Sequence, residues 1–205
     1  MRVAVVGGTG DFGLALARQL AAAGHDVVVG SRDAERATEK AADIGATGAA
    51  NEDAVRGADV VVLAVKAETA LATAEYLVDS IGETPVLSVA SELRFTKGGV
   101  LPGDEALSIA ERTQEVLRAP VVAGLHSLAA ASLAHGKADG DALVCGDDLA
   151  AKELVLDLAG AVVTGRALDA GPLASARALE GLTAVIVNVN KRYRAHAGVR
   201  VTGLT

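Results

Sequence analysis

The chain has 205 residues, with 19 Lys and Arg against 26 Asp and Glu, which gives a formal net charge of −7. This acidic balance argues against a nucleic-acid-binding protein, because such proteins carry a basic face. The two Phe and two Tyr residues are too few and too scattered to form a base-stacking platform. The composition, 51% hydrophobic and 22% charged, is typical of a globular protein with a full core.

Cysteine and histidine usage restricts the possible metal and redox chemistry. The single cysteine, Cys145, excludes an intrachain disulfide and any cysteine-rich zinc or iron–sulfur site. The four histidines lie far apart and do not have the spacing of metal ligands. The apolar run at residues 3–6 is too short for a signal-peptide core, and that at 182–189 is too short to span a membrane. We expect a cytoplasmic protein without a metal ion or a membrane segment.

The first part of the chain alternates between strand-like and helix-like segments. Short apolar runs predict buried strands, and apolar residues at helical spacing predict helices. In chain order the prediction is strand 3–6, helix 14–23, strand 27–29, helix 33–43, helix 51–56, strand 60–65, helix 67–81 and strand 85–89. This order predicts an α/β fold of the Rossmann type, a doubly wound parallel sheet with helices on both faces.

The alternation stops after this last strand. Residues 92–105 contain three glycines and a proline without a clear periodicity, which predicts a loop. The later elements are helix 106–118, strand 121–125, strand 142–145, helix 147–158, strand 161–163 and a long helix at 172–194. We assign residues 1–119 to a Rossmann-type domain and residues 120–205 to a smaller C-terminal α/β domain.

A glycine-rich segment directly follows the first strand and opens the first helix. Its sequence is Gly7-Gly8-Thr9-Gly10-Asp11-Phe12-Gly13, which contains G-x-G-x-x-G as Gly8, Gly10 and Gly13. The first glycine of this motif allows a tight turn, the second lets the backbone approach a pyrophosphate, and the third lets helix and strand pack closely. The N–H groups at the start of the helix then face the anion. This context favours dinucleotide binding over a purely structural turn.

The end of the second strand indicates which dinucleotide is bound. NAD-binding proteins usually place a carboxylate there to hold the ribose 2′-hydroxyl. This chain has Ser31 and Arg32 instead, followed by Arg36, and all three side chains can donate hydrogen bonds to a phosphate. The pattern favours NADP, although Arg32 and Arg36 also have the i, i+4 spacing of a solvated helix face.

The second half of the chain offers one candidate for a role in the reaction. His126 follows the strand at 121–125, where a histidine can serve a site or can be a buried residue with its hydrogen bonds satisfied. Tyr76 and Tyr193 lack a lysine four residues further on, so the proton relay of short-chain dehydrogenases is missing. Hydride transfer between two cofactor rings depends more on orientation than on an acid or base.

Several segments together resemble the F420-dependent NADP reductases. They are residues 1–10, 29–32, 51–54, 125–127, 144–148 and 168–173, so the resemblance covers nearly the whole chain. It implies a two-domain homodimer, in which residues 1–119 bind NADP(H), and residues 120–205 pack over the cofactor cleft, complete the deazaflavin site and supply the dimer interface. It also implies reversible hydride transfer between C4 of the nicotinamide of NADP(H) and C5 of the deazaflavin coenzyme F420. Two departures from the family pattern fall in the region of the second substrate: Lys66 stands where a proline is common, and the stretch after His126 is rich in alanine.

The resemblance also implies roles for individual residues. It places Thr9, Gly10, Asp11 and Phe12 at the pyrophosphate. It places Ser31, Arg32 and Arg36 at the 2′-phosphate, and Val65, Thr69 and Ser91 along the dinucleotide groove. Ala130 is expected near the nicotinamide and His126 near the deazaflavin.

Two alternative functions stay open. One is an NADPH-dependent reductase of another acceptor, such as an imine, a flavin or a ferric chelate. The other is a non-catalytic NADP(H) sensor.

Overall fold

The computed structural model describes residues 1–204, and an eight-stranded sheet organises this part of the chain. The strands are β1 (Arg2–Val6), β2 (Asp26–Ser31), β3 (Thr47–Ala50), β4 (Val60–Leu63), β5 (Val86–Ser88), β6 (Leu93–Thr96), β7 (Gly99–Pro102), β8 (Val121–Gly124), β9 (Ala142–Gly146) and β10 (Ala167–Asp169). Strands β6 and β7 form a separate hairpin, and the other eight pair in the order β10-β9-β8-β5-β4-β1-β2-β3.

Helices cover both faces of this sheet. They are α1 (Asp11–Ala22), α2 (Ala34–Ala42), α3 (Asn51–Val55), α4 (Ala67–Ile81), α5 (Ile109–Val116), α6 (Ala130–His135), α7 (Leu149–Val162) and α8 (Ala176–Tyr193). Val3 and Val5 of β1 pack in one core with α1, α2, α6 and α7. Ala4 and Val6 point the other way, into a core with α3, α4, α5 and α8. Both faces of the strand are therefore buried, and the predicted doubly wound Rossmann-type fold is confirmed.

The order of the strands locates the site. From β3 to β8 all neighbours in the eight-stranded sheet are parallel, and the β8–β9 pair is the only antiparallel pair of this sheet among residues 1–204. The chain runs outward from β1 through β2 and β3, and then returns to the other side of β1 with β4. In such sheets the ligand binds at this reversal, beyond the carboxyl ends of the strands.

The predicted domain boundary at residue 119 falls between two strands of one sheet. Strand β5 pairs with β8 through Val86 and Val121, so main-chain hydrogen bonds cross the boundary. Strands β9 and β10 extend the same sheet. Residues 120–204 thus contribute strands to the same sheet as residues 1–119, and the division into two domains stays a prediction.

Two predicted elements are wrong in type. Residues 92–105, predicted as a loop, contain the β6–β7 hairpin, which turns at Lys97-Gly98. Asn188 of α8 binds both main-chain groups of Val100, at 2.8 Å to the nitrogen and 2.7 Å to the oxygen, and so stabilises this hairpin from outside. The predicted strand 161–163 is instead the end of α7 and the residue after it, and the strand lies at β10.

Capping residues explain two shifted helix starts. Helix α5 begins at Ile109 rather than at 106, because Ser108 and Glu111 form a capping box. Asp148, not Asp147, caps α7, and the carboxylate of Asp147 accepts the N–H of Leu173 at 2.9 Å. The long helix was predicted to begin at residue 172, but a 3-10 turn, Leu173–Ser175, comes first and α8 begins at Ala176.

No helix among residues 1–204 has the length and apolar character needed to cross a membrane.

Gly48 tests how tightly α2 packs on the sheet. A Cβ at Gly48 would overlap the backbone of Ala37 and Thr38. We expect Gly48→Ala to lower the free energy of unfolding by about 1–3 kcal/mol in urea titrations, because α2 must shift away from β3. Gly98→Ala is the control, since the nearest atom to a Cβ there is the Thr96 Oγ1 at 3.8 Å. Equal stabilities of the two variants would contradict the packing argument.

Candidate active site

A cleft of about 880 Å³ lies at the carboxyl ends of the central strands. Four of the residues predicted for the site line it: Phe12 of the glycine loop, Val65 after β4, Ser91 after β5 and His126 after β8. The hairpin, α5 and α8 also contribute to its walls. The fold therefore brings the four predicted residues together, although Phe12 and His126 are 114 positions apart in the sequence.

The glycine loop leaves N–H groups free for an anion. Helix α1 starts after Gly10, and its first main-chain bond runs from the N–H of Leu14 to the carbonyl of Gly10 at 2.8 Å. Gly10 has no side chain to cap the helix, so the N–H groups of Asp11, Phe12 and Gly13 face outward. Such an uncapped helix start is suited to a phosphate group.

Steric contacts explain the glycines next to this opening. A Cβ at Gly13 would lie 2.8 Å from the carbonyl oxygen of Gly7, and one at Gly8 would lie 2.7 Å from that of Val5. Gly7 has φ of 75°, a conformation that favours glycine. By contrast, the nearest atom to a Cβ at Gly10 is 3.4 Å away. The open side of the loop is thus at Gly10, where the pyrophosphate is expected.

The end of β2 lies beside this loop, since the N–H of Gly8 donates to the carbonyl of Gly30 at 3.1 Å. The nearly buried Ser31 hydroxyl accepts the N–H of Asp33 at 3.2 Å and keeps its own hydrogen to donate. Arg32 and Arg36 are exposed, and neither forms an ion pair with a carboxylate of residues 1–204. These donors fit a phosphate on the ribose.

His126 lies in the floor of the cleft and is 5% exposed. The ring nitrogen Nε2 is 3.2 Å from the carbonyl oxygen of Ala90, while Nδ1 is buried without a hydrogen-bond partner among the described residues. Burial lowers the pKa of His126 to about 4, so the ring is neutral near pH 7. Because a carbonyl only accepts, Nε2 carries the proton and Nδ1 is a free acceptor. Only one of the two ring nitrogens of His126 therefore has a hydrogen-bond partner among the described residues.

The backbone before His126 is strained. Leu125 has φ of 67°, which is rare for a residue with a branched side chain. The carbonyl of His126 accepts a hydrogen bond from the Thr183 hydroxyl at 2.9 Å, and the Ser91 hydroxyl is 2.8 Å from the same Thr183 oxygen. Since the Thr183 hydrogen is used on the carbonyl, Ser91 is the donor to Thr183. The sequence analysis missed Thr183, which lies within a helix without a motif around it.

Charged residues at the walls of the cleft were also missed. Arg94 pairs with Asp104 at 2.9 Å, whereas Arg112 lies 3.9 Å from Glu92 and its buried Nη1 has no hydrogen-bond partner among residues 1–204. For Arg112, the sequence did contain a usable signal. The capping pattern Ser108-x-x-Glu111 predicts a helix that begins after Ser108, and this places Arg112 in the first turn of α5. Lys66, the departure noted after β4, lines the cleft as well.

The other ten predicted residues do not line this cleft. Eight of them belong to the glycine loop and to the segment from the end of β2 into α2, namely Gly8, Thr9, Gly10, Asp11, Gly13, Ser31, Arg32 and Arg36, and the remaining two are Thr69 and Ala130. The Thr69 hydroxyl donates to the carbonyl of Lys66 at 3.1 Å in the first turn of α4. Ala130 lies with Asp11 along a second groove of about 460 Å³ between α1 and α6. Their expected contacts with the cofactor stay predictions.

The buried imidazole makes the stability of the protein depend on pH. The pKa of His126 falls from 6.5 to about 4 on folding, so the unfolded chain binds more protons between these values. Stability should therefore decrease by up to about 3 kcal/mol from this residue as the pH falls from about 6.5 to 4. His126→Asn should reduce that decrease in urea titrations, with its stability at pH 8 as the reference. Identical pH dependence of the two proteins would exclude a neutral buried His126.

Comparisons with known proteins identify the family of this chain. Residues 2–92 match a family described as NADP oxidoreductase, coenzyme F420-dependent. The F420-dependent NADP reductase of Methanothermobacter thermautotrophicus is 36% identical over 100% of this chain and 96% of the relative. That of Methanocaldococcus jannaschii is 34% identical over 100% of this chain and 99% of the relative. A solved structure from Arthrobacter sp. FB24 has a TM-score of 0.82 at 24% identity and covers 99% of both chains, which bears on the fold alone. The chain therefore belongs to the F420-dependent NADP reductase family.

Proposed function

We propose that this protein catalyses reversible hydride transfer between NADP(H) and coenzyme F420. The observation that carries the proposal is the continuity of one cleft from the glycine loop at Phe12 to the floor at His126. The volume of about 880 Å³ lies near the upper end of small-molecule pockets and leaves room for a second ring beside the nicotinamide. The full-length relatives are named for the same reaction.

We also propose a cytoplasmic location, since these coenzymes are used there.

The residues of the glycine loop and of the β2 end would hold the NADP. The N–H groups at Asp11 and Phe12 bind the pyrophosphate, and Ser31, Arg32 and Arg36 bind the 2′-phosphate. Val65 and Ser91 border the groove toward the floor. When bound, the two coenzymes supply the hydride chemistry themselves, at C4 of the nicotinamide and C5 of the deazaflavin.

The floor of the cleft orients the rings and excludes water. Val89, Leu125 and Leu128 give it an apolar surface. His126 adds one neutral acceptor, Nδ1, which can bind an N–H group of a ring substituent and so fix its orientation. Ser91 and Thr183 fix the backbone that carries His126. Orientation of this kind is the main contribution that the protein makes to hydride transfer.

A spectrophotometric assay tests the proposal. The protein is mixed with NADPH and oxidised F420, and the loss of the visible absorbance of the deazaflavin is followed, with NADH in parallel. We expect fast loss with NADPH and little with NADH. Turnover of an imine, a flavin or a ferric chelate, but not of F420, would replace the proposed acceptor. NADPH binding without turnover of any acceptor would indicate a sensor.

The cofactor preference depends on Arg32. Arg32→Glu should raise the Kd for NADPH about tenfold or more, because a charged hydrogen bond is lost and a like charge faces the phosphate. Binding of NADH should change little. Lys137→Glu is the matched control, because it makes the same charge change at an exposed residue. The neighbouring Ala138 forms a β-bridge with Val163, near the β10 edge of the sheet and away from α2. Equal effects of the two substitutions on NADPH would refute the assignment of the 2′-phosphate.

We further propose that two copies of the chain associate through α8 and the hairpin. Val185 on α8 is 54% exposed, and Phe95 and Leu101 on the hairpin are 72% and 44% exposed. The hairpin packs on α8 through Asn188, so these side chains lie on two neighbouring elements. Exposed apolar surface of this kind is typical of an interface.

The oligomeric state in solution tests this surface. Sedimentation equilibrium should give twice the mass of the chain, and Val185→Glu should shift the protein toward the monomer, because a charge would be buried between the copies. Leu149→Glu on α7, at a residue that is 71% exposed, is the matched control and should leave the dimer intact. A monomeric wild-type protein would exclude the proposed dimer.

A further inference from the structure

Two buried polar atoms in the wall and floor of the cleft lack hydrogen-bond partners among residues 1–204. They are Nη1 of Arg112 and Nδ1 of His126, and both residues line the cleft. A guanidinium nitrogen only donates, whereas Nδ1 of the neutral imidazole only accepts. A buried donor or acceptor without a partner is unfavourable, so each one in a folded protein requires a physical explanation.

Both side chains border the same short segment after β5. Nε2 of His126 donates to the carbonyl of Ala90 at 3.2 Å. Nη1 of Arg112 lies 3.9 Å from the Glu92 carboxylate, which is too far for a hydrogen bond. Ala90 also packs with Ile109, which precedes Arg112 by three residues on α5. This segment therefore holds the unpaired donor and the unpaired acceptor near each other.

The strand order places this segment away from the pyrophosphate site. The glycine loop follows β1, and β1, β4, β5 and β8 lie side by side in this order. With about 4.8 Å between neighbouring strands, the end of β5 lies about 10 Å from the end of β1. Val65, after β4, lies between them and against the glycine loop, since a Cβ at Gly7 would be 2.7 Å from its Cγ1. Arg112 and His126 therefore belong to the half of the cleft beyond the dinucleotide.

A planar ring with an imide edge matches this pair of atoms. An imide has a carbonyl oxygen next to a ring N–H, so one edge of the ring accepts a hydrogen bond and donates another. The pyrimidine ring of a deazaflavin has such an edge, and so does that of a flavin, whereas a simple imine does not. A few polar groups placed in this way determine orientation and specificity in an otherwise apolar pocket.

We propose that Arg112 is a specificity-determining residue for the second substrate, and that it recognises the imide edge of the ring together with His126. The guanidinium donates to an imide carbonyl, and Nδ1 of His126 accepts the imide N–H. Glu92 offsets the charge of Arg112 without using its hydrogen-bond donors. Neither Arg112 nor His126 exchanges a proton with the ring. This inference rests on the proposed function for the identity of the second substrate only.

Equilibrium binding of oxidised F420 without NADPH tests the acceptor. The two probes are F420 and its derivative methylated at the imide nitrogen, which keeps the carbonyls and lacks the N–H. For the wild type we expect methylation to raise the Kd about tenfold or more, because Nδ1 of His126 stays unpaired. His126→Ala removes the acceptor and leaves room for the methyl group, so its two Kd values should agree within about twofold.

Substitution of Arg112 tests the donor. Arg112→Met keeps the length of the side chain and removes the guanidinium, so the Kd for F420 should rise about tenfold. Arg112→Lys should restore part of this loss, because the ammonium can still donate to the carbonyl. The Kd for NADPH should stay within about twofold in both variants, since the nucleotide half of the cleft is separate.

Arg118→Met is the matched control, because it makes the same change just beyond α5. The Arg118 side chain is 69% exposed and pairs with Asp79 at 3.1 Å, so the Kd for F420 should stay within about twofold. The urea midpoint separates the role of Arg112 from a structural one. Removal of a buried nitrogen without a partner should leave the midpoint of Arg112→Met at or above that of the wild type.

Three results would overturn the inference. The first is an unchanged Kd for F420 in Arg112→Met, and the second is wild-type binding that methylation does not weaken. The third is a rise in the Kd for NADPH as large as that for F420, which would indicate that the pair binds the carboxamide of the nicotinamide or that the fold is damaged. Any of these with normal F420 turnover would leave the proposed function intact. The expected binding pattern without reduction of F420 by NADPH would refute the proposed function alone.

Discussion

The structure depends on a close approach of backbones at the glycine loop. Gly8 lies against the carbonyl of Val5, and Gly13 lies against that of Gly7, with no room for a Cβ at either residue. This contact fixes α1 directly over the end of β1, where the strand order reverses. The opening of the helix, the end of β2 and the cleft beyond β4 all take their positions from it. A larger residue at Gly13 would separate α1 from the sheet and open the anion site at the same time.

Helix α8 has a second organising role, on the opposite side of the cleft. Asn188 holds the hairpin, Thr183 holds the backbone of His126, and Glu180 holds the first turn of α5. These three polar residues lie on a helix whose other buried residues are apolar, such as Leu179 and Ile186. The two halves of the site therefore have different physical supports. Backbone packing forms the nucleotide half, and side-chain hydrogen bonds from one helix form the other half.

This difference decides how much the sequence could predict. The fold class and four strands, β1, β2, β4 and β5, were predicted correctly, because an apolar run is a local signal. Strand β3, at Thr47–Ala50, was not predicted, since its four residues contain no such run. The glycine loop and the β2 end were located because each is a contiguous motif. The hairpin was missed because its stability comes from Asn188, 88 residues away from Val100. Thr183 and Glu180 could not be identified, because an isolated polar residue in an amphipathic helix has no sequence context that separates a buried acceptor from a solvated one.

The charge distribution of the cleft fits a reaction that runs in both directions. The floor has a neutral histidine and apolar side chains, whereas Lys66, Arg94 and Arg112 lie on the walls with Glu92 and Asp104. A fixed charge at the floor would stabilise one oxidation state of a ring more than the other, since electrostatic interactions are strong in a site from which water is excluded. Burial removes that bias by keeping His126 neutral. The same burial that makes the side chain costly at acid pH thus prevents this residue from biasing the equilibrium between the bound oxidised and reduced coenzymes.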